Sequence, residues 1–350
     1  MTIKTKELQQ AIATLLPVAK SVRPALTNVY FRNGRVEASN AELSISLKLD
    51  HDLNAAVSPT VLAKFLARVD GENTTIAEHG SGALLFKSGR QRVTLPTWSL
   101  EDAPSGFWPE SAGTPSDNAY TPEGSVTDEE WASFVGVVKR ALPFISPDAG
   151  RAALANIHFE TLDGTLYAIA TDGRRAVRWN TQTTLPDMDI HSAQLPALLS
   201  LSVRRWYQDD TTITFVTDED ARYTIRKRSD VYPNFEMIAP TESSKEGHNE
   251  ITFPNIDDEL ANAANIGDSV TLKIQGETCT FTADSSLGVY AGEVGVKVRG
   301  DGEETTIILN PTYLRQVLTF SSTLWIHPSG LNPVFSFDGR NTVLLMPLRA

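Results

Sequence analysis

Apolar and polar positions alternate in short runs, and turn residues break the runs at regular intervals. VYFRNGRVEAS at 29–39, IHFETLDGTLYAIAT at 157–171 and VTLKIQGETCTFTAD at 270–284 each read as two alternating segments about a tight turn. Asn33-Gly34 and Asp163-Gly164 suit two-residue hairpin turns, whose central positions both need positive φ. The third turn falls at Gln275-Gly276. Elsewhere the period changes to 3.6. TKELQQAIATLL, starting near Thr5, places Leu8, Ala11, Ile12 and Leu15 on one face. TDEEWASFVGVVKRAL opens with a capping box, Thr127 and Glu130, and aligns Trp131, Phe134, Val135, Val138 and Leu142. VSPTVLAKFL (57–66) and LNPTYLRQVL (309–318) both offer an N-cap, Ser58 or Asn310, then proline at the first helical position. A helix is also predicted near 193–206, with Leu195, Leu198, Leu199 and Trp206 on one side, and another from about Asn255 in NIDDELANAANI.

These elements recur in order. RPALTNVYF (23–31) matches RAALANIHF (151–159), the two proline-capped helices match each other, and FKSGRQRVTLP (86–96) matches FDGRNTVLLMP (337–347). FVTDEDARYTIRKR at 215–228 is a looser relative of the last pair. Ordered matches at a long period point to repeated modules. Each third is expected to hold two helices and about eight short strands, an α+β unit of helices packed on antiparallel sheets. Turn and polar residues cluster at roughly 101–124 and 240–250, which gives expected domains 1–119, 120–246 and 247–350.

Composition narrows the function. The 350 residues are 41% hydrophobic and 21% charged, a globular balance. Cys279 is the single cysteine, so intrachain disulfides and Cys-cluster zinc sites are excluded. Neither a signal core nor an 18-residue apolar run occurs, so a soluble protein of a reducing compartment, without a membrane partner, is expected. Lys plus Arg is 31 and Asp plus Glu 43, a net charge of −12. That opposes a lysine-coated nucleic-acid binder but leaves room for a local basic surface. No G-x-S-x-G, H-E-x-x-H, phosphate-loop or dinucleotide pattern is present, and the six histidines lack metal-ligand spacing. No catalytic residue, metal or cofactor is therefore expected.

Four motifs carry a resemblance over the full chain. Arg23-Pro24-Ala25-Leu26-Thr27-Asn28, Ala170-Thr171-Asp172-Gly173-Arg174-Arg175-Ala176-Val177, Tyr232-Pro233-Asn234-Phe235 and Leu345-Met346-Pro347-Leu348-Arg349 are similar, in order, to motifs of the bacterial DNA sliding clamp, the β subunit of DNA polymerase III. The resemblance implies three clamp-type domains and a head-to-tail homodimer closed into a ring. Such a ring encircles double-stranded DNA without reading sequence. It serves as a processivity factor in DNA replication, tethering DNA polymerase and other proteins with clamp-binding motifs. A clamp loader opens it, and it works in the cytoplasm at the nucleoid. A β-rich structural repeat protein, such as a virion or assembly component, is the alternative, with an enzyme as the lesser one.

The same resemblance assigns sites residue by residue. A partner-peptide pocket would be lined by Leu154, Thr171, Gly173, Arg174, Arg175, Val177, Pro240, Leu344, Leu345, Met346, Pro347, Leu348 and Arg349. Arg174 and Ala176 depart from the family's usual His and Leu. Subunit contact would involve Val93 and Leu95 with the helix around Ile266. DNA would face Lys20, Arg23, Lys64, Arg68, Lys139, Arg140, Arg151, Arg204 and Arg315. Helical spacing independently sets Lys64, Arg68, Arg140 and Arg204 opposite the apolar stripes of their helices, where weak phosphate attraction would suit sliding. Ala152 and Ala153 follow Arg151 where the family often has aromatic residues.

Overall fold

In most places alternation becomes strand and the 3.6 period becomes helix in the computed structural model, which describes residues 1–19, 24–40, 42–80, 82–100, 124–148, 150–227, 231–300 and 304–349. The first third contains β1 (Thr2–Lys4), α1 (Thr5–Leu15), β2 (Val29–Arg32), β3 (Arg35–Ser39), β4 (Leu43–Lys48), β5 (Ala55–Val57), α2 (Pro59–Leu66), β6 (Asn73–Glu78), β7 (Ala83–Ser88) and β8 (Gln91–Pro96). The second contains β9 (Gly124–Ser125), α3 (Asp128–Ala141), β10 (Asn156–Leu162), β11 (Thr165–Thr171), β12 (Arg175–Asn180), β13 (Met188–His191), α4 (Leu195–Leu198), β14 (Val203–Gln208), β15 (Thr212–Thr217) and β16 (Arg222–Arg226). The last contains β17 (Asn249–Thr252), α5 (Asp257–Ile266), β18 (Val270–Gln275), β19 (Thr278–Ser285), β20 (Gly288–Gly295), β21 (Lys297–Arg299), β22 (Thr305–Leu309), α6 (Pro311–Leu318), β23 (Thr323–Ile326), β24 (Val334–Asp338) and β25 (Asn341–Leu345). The order strand, helix, strands, helix, three strands therefore occurs three times, as the repeats predict.

The caps explain several boundaries. The Thr127 hydroxyl accepts from the Glu130 amide at 3.2 Å, and the Glu130 carboxylate accepts from the Thr127 amide at 2.8 Å. That reciprocal pairing holds the Glu130 carboxyl below its ordinary range. Asn310 accepts from the Tyr313 amide at 3.0 Å at the start of α6. The hairpin turns behave as the dipeptides require, with φ of 51° and 68° at Asn33 and Gly34 and 49° and 76° at Asp163 and Gly164. The predicted helix at 193–206 is the exception. Only Leu195–Leu198 is helical, and Val203–Gln208 is a strand paired with β15 and β9. A bulge between Val203 and Arg205 buries both Val203 and Trp206, so a three-residue spacing imitates a helix.

The strands make four antiparallel sheets, ordered β1-β6-β7-β8, β5-β2-β3-β4-β16-β15-β14-β9, β13-β10-β11-β12-β25-β24-β23-β17-β21 and β20-β19-β18-β22. Two of them join different thirds. β4 pairs with β16, with Ile45 opposite Tyr223, and β12 pairs with β25, with Val177 opposite Val343. The chain forms two compact units, Met1–Ala132 with Ala193–Ser229, and Ser133–Ser192 with Asp230–Ala350. Each unit is centred on one joined sheet. In the first, Leu8, Ile12, Leu15, Phe31, Ile45, Leu62 and Phe215 are fully or almost fully buried. In the second, Phe134 stacks on Phe159 with centroids 5.2 Å apart, and Leu314, Val317 and Val343 are fully buried. No helix among the described residues is long and apolar enough to cross a membrane.

Candidate functional site

The second unit brings most of the predicted pocket residues to one place, around the turn between β11 and β12 and the chain leaving β25. The turn is built by its own side chains. Thr171 donates its hydroxyl to the Arg175 carbonyl at 2.7 Å and accepts from the Gly173 amide at 3.0 Å. Asp172 accepts from the amides of Arg174 and Arg175 at 2.9 and 3.0 Å, and from Arg175 Nε at 3.1 Å. Gly173 has φ of +84°, a left-handed backbone that favours glycine; a Cβ there would lie 2.9 Å from the tip of Arg151, which can swing aside. Arg151 Nη1 donates to the Asp172 carbonyl at 3.1 Å. The Met346 amide then donates to the Arg174 carbonyl at 2.8 Å, extending the strand pairing past β25, and the Leu348 amide donates to Ile308 at 2.8 Å.

Arg175 anchors this region. Its side chain is 6% exposed, matching its ion-pair partner Asp172 at 6%. It donates from Nη2 to the Pro143 carbonyl at 2.5 Å and lies 5.0 Å from the Phe144 ring centroid and 3.9 Å from that of Tyr313. Burial lowers its pKa from the ordinary arginine value, opposed by Asp172. Nη1, itself buried, has no hydrogen-bond partner among the described residues.

The two faces of β12 divide the predicted residues. Val177 and Leu345 are fully buried in the core. Ala176 and Leu344, opposite each other across the β12–β25 pair, lie on the other face. They cluster there with Ile169, Phe235 and Phe335, and Tyr232, Ala239, Trp325 and Phe337 pack against them. Ala176, not Val177, is thus the side chain that meets this surface. Pro240 is half-buried and follows Ala239. Leu154, Pro347 and Leu348 are half-buried, Arg174 and Arg349 are exposed, and Met346 is 46% exposed.

Segment 231–248 was largely missed by sequence reasoning, which took only Pro240 from it as a site residue. It forms a strap over the apolar face. Tyr232 stacks on His158 with centroids 4.7 Å apart and 7° between planes. Phe235 enters the apolar cluster, and Glu236 bonds Arg178. Lys245 stands 4.4 Å over the Phe337 ring, and His248 packs against His327 and Phe335. The aromatic spacing Tyr232, Phe235 was the available signal, but a strap without strand or helix period gives no pattern to read.

The basic residues are dispersed. Lys64, Arg68, Lys139, Arg140, Arg151 and Arg315 are exposed. Arg140 lies 4.5 Å over Trp179, and Arg315 pairs with Asp257 at 3.1 Å. Arg204 sits on β14, not on a helix as expected, because the bulged strand replaces that helix. It is held by Asp128 at 2.5 Å and Asp218 at 2.8 Å. Lys20 and Arg23 lie outside the described residues. Val93 is half-buried on β8, Leu95 is buried, and Ile266 is half-buried beside Gly288, 3.8 Å from the Cβ position there.

No family model and no curated protein matches the sequence. Solved structures do match the fold. The DNA polymerase III β subunit of Pseudomonas aeruginosa aligns over 100% of this chain and 99% of its own, with TM-score 0.83 and 17% identity. The Streptococcus pneumoniae β chain gives 0.81 and 19% over the same coverage. A Pseudomonas aeruginosa sliding clamp bound to griselimycin gives 0.80 and 16%, again over 100% and 99%. From end to end, the chain carries the fold of the bacterial DNA polymerase III β sliding clamp.

Proposed function

We propose that the chain is a DNA sliding clamp with no catalytic chemistry, a homodimeric ring that encircles duplex DNA and tethers a replicative polymerase. Its domains are taken as 1–119, 120–246 and 247–350. The sheet order carries the ring reading. Both internal junctions pair equivalent strands, β4 with β16 and β12 with β25. The strands equivalent to these at the ends of the repeat are β20 and β8, each the edge of a four-stranded sheet. An unpaired edge is a template for another chain. Pairing β8 of one subunit with β20 of the next makes a third junction of the same kind.

The register follows from the internal pairs. Ala38 faces Ile45, Ala170 faces Val177 and Ala283 faces Tyr290. Phe215 faces Tyr223, Ser336 faces Val343 and Phe86 faces Val93. Tyr290 therefore lies opposite the partner subunit's Val93. This supports Val93 and Leu95 as contact residues and argues for β20 as the strand opposite them, with Ile266 at the flank.

The exposed Lys64, Arg68, Lys139, Arg140, Arg151 and Arg315 support weak contact with phosphates, whereas Arg204 is already neutralised by two carboxylates. The apolar cluster of Ala176, Leu344, Phe235 and Phe335, together with the exposed Met346, supports capture of a partner peptide through apolar anchors. A loader would open the ring at the β8–β20 junction. The test is topological. The protein should run as a dimer, stay on nicked circular DNA and slide off once that DNA is linearised. Val93→Glu with Tyr290→Glu should give a folded monomer that is not retained. Equal retention on circular and linear DNA would refute encirclement.

A further inference from the structure

The strap at 231–248 ends on a histidine contact at each side, and the two contacts require opposite charge states. At one end, His158 Nδ1 lies 2.8 Å from Asp189 Oδ1 and Nε2 lies 3.7 Å from Glu160 Oε2, while the ring stacks flat on Tyr232. Two carboxylates flanking a half-buried imidazole favour the imidazolium, whose cation also improves a stack on a phenol ring. The Tyr232 hydroxyl reaches the Ile169 carbonyl at 3.5 Å. At the other end, the His248 ring meets His327 at 5.0 Å, edge to face, and Phe335 at 5.1 Å. A proton on His248 would place a cation against the His327 imidazole and the apolar Phe335 ring. We propose that the strap is a two-histidine clasp, closed over the face of Ala176 and Leu344 while His158 is charged and His248 is neutral, and loosened on either side of that pH window.

The surrounding charges fit. Facing His158 are Asp189 and Glu160, with Arg178 in the same cross-strand row beyond Ile169 and engaged by Glu236 of the strap. Facing His248 are His327 and Phe335, and the nearby Lys245 is occupied by Glu242 at 2.8 Å and the Phe337 and Trp325 rings. Burial pushes His158 down, but Asp189 and then Glu160 outweigh it, so its pKa is raised. Burial and the charge of His327 hold His248 below the ordinary value, against a hydrogen bond with the Glu246 carbonyl. The signs follow. A raised histidine stabilises the clasp at low pH and loses this as pH rises through its folded pKa. A lowered histidine stabilises it at high pH and loses this as pH falls through its own. The window brackets the ordinary histidine value of about 6.5. Because Ala239 and Pro240 belong to the strap, partner capture would follow the same window; this consequence rests on the peptide-capture reading, whereas the clasp itself does not.

The experiment is hydrogen exchange of the full chain across pH, with rates corrected for the intrinsic pH dependence of exchange. Protection of 231–248 should peak near neutrality and fall several-fold on each side. His158→Gln should abolish the alkaline limb and His248→Gln the acid limb, each sparing the other. Flat protection in the native chain, or an alkaline limb that persists in His158→Gln, overturns the clasp. Should a variant not fold, ring titration by NMR in the native chain decides: His158 titrating at or below the free value also overturns it. Polymerase stimulation measured in the same samples separates the readings. Limbs seen without stimulation at any pH would support the clasp and remove the peptide-capture reading.

Discussion

The two joined sheets share one eight-strand order, to which the second adds β21, and differ in surface character. In the first unit, Ser44 faces Thr224 across the β4–β16 junction; in the second, the equivalent positions are Ala176 and Leu344 across β12–β25. The polar junction is closed by its own network. Ser44 donates to Ser39 at 2.9 Å, and the Thr224 and Thr214 hydroxyls are 2.9 Å apart. Arg35 donates to Ser46 at 2.6 Å and to Asp220 at 2.7 Å, and Ser46 donates to Glu37 at 2.6 Å. Its groups satisfy one another and ask nothing of a partner. The apolar junction is covered by a strap and leaves Met346, Met237 and Ile238 exposed. The difference teaches that two joints of one strand order can present a sealed polar surface or an apolar one, according to two facing side chains and what lies over them.

The largest effect expected is on binding. Deleting Met346 to Ala350 removes the amide contacts to Arg174 and Ile308 along with the exposed methionine. Polymerase stimulation should be lost while the dimer persists; retained stimulation would return this surface to the status of the sealed one. Next comes stability of the polar joint. Arg35→Ala removes the hydrogen bonds to Ser46 and Asp220, while Asp220 keeps Arg222 and Glu37 keeps Arg32, and should cost about 2–4 kcal/mol, read by denaturant unfolding. A cost under about 1 kcal/mol would mean that the network merely decorates the sheet. Leu344→Thr, which installs the polar residue in the apolar joint, should cost about 2–4 kcal/mol through lost burial and a new hydroxyl. It should also expose the strap to protease.

How much of this contrast was legible depends on periodicity. The repeated order of helices and strands was readable because Asn33-Gly34, Asp163-Gly164, Thr127 with Glu130, and Asn310 with Pro311 act locally. The turn at Gly173 was readable only through a family motif, since its positive φ is set by the Thr171 and Asp172 side-chain hydrogen bonds around it, which no hydrophobic period reports. The strand at Val203–Gln208 was misread because a bulge produced helical spacing. The choice of Ala176 over Val177 could not be made without knowing which face of β12 meets the strap, a tertiary matter to which strand alternation is blind. The carboxylates on Arg204 come from the start of α3, Asp128, and from the turn after β15, Asp218, so no spacing announced them.

The sharpest form of the comparison is the reciprocal graft, with the smallest expected effect. Ser44→Ala with Thr224→Leu gives the first joint the facing pair of the second. Two hydroxyls disappear, and Ser39 and Thr214 each lose a partner, which costs about 1–3 kcal/mol in all. The added leucine returns roughly 1.5–3 kcal/mol of burial where space allows. The net change in unfolding free energy should therefore be within about 1 kcal/mol of zero. Apolar character alone should not create a second docking site. The second joint also has the Gly173 turn, a buried Arg175 nitrogen without a partner among the described residues and the extended chain at Met346, none of which the graft supplies. A grafted chain that captures two polymerase peptides per subunit instead of one would show that the facing pair is sufficient, and that turn, arginine and strap are refinements.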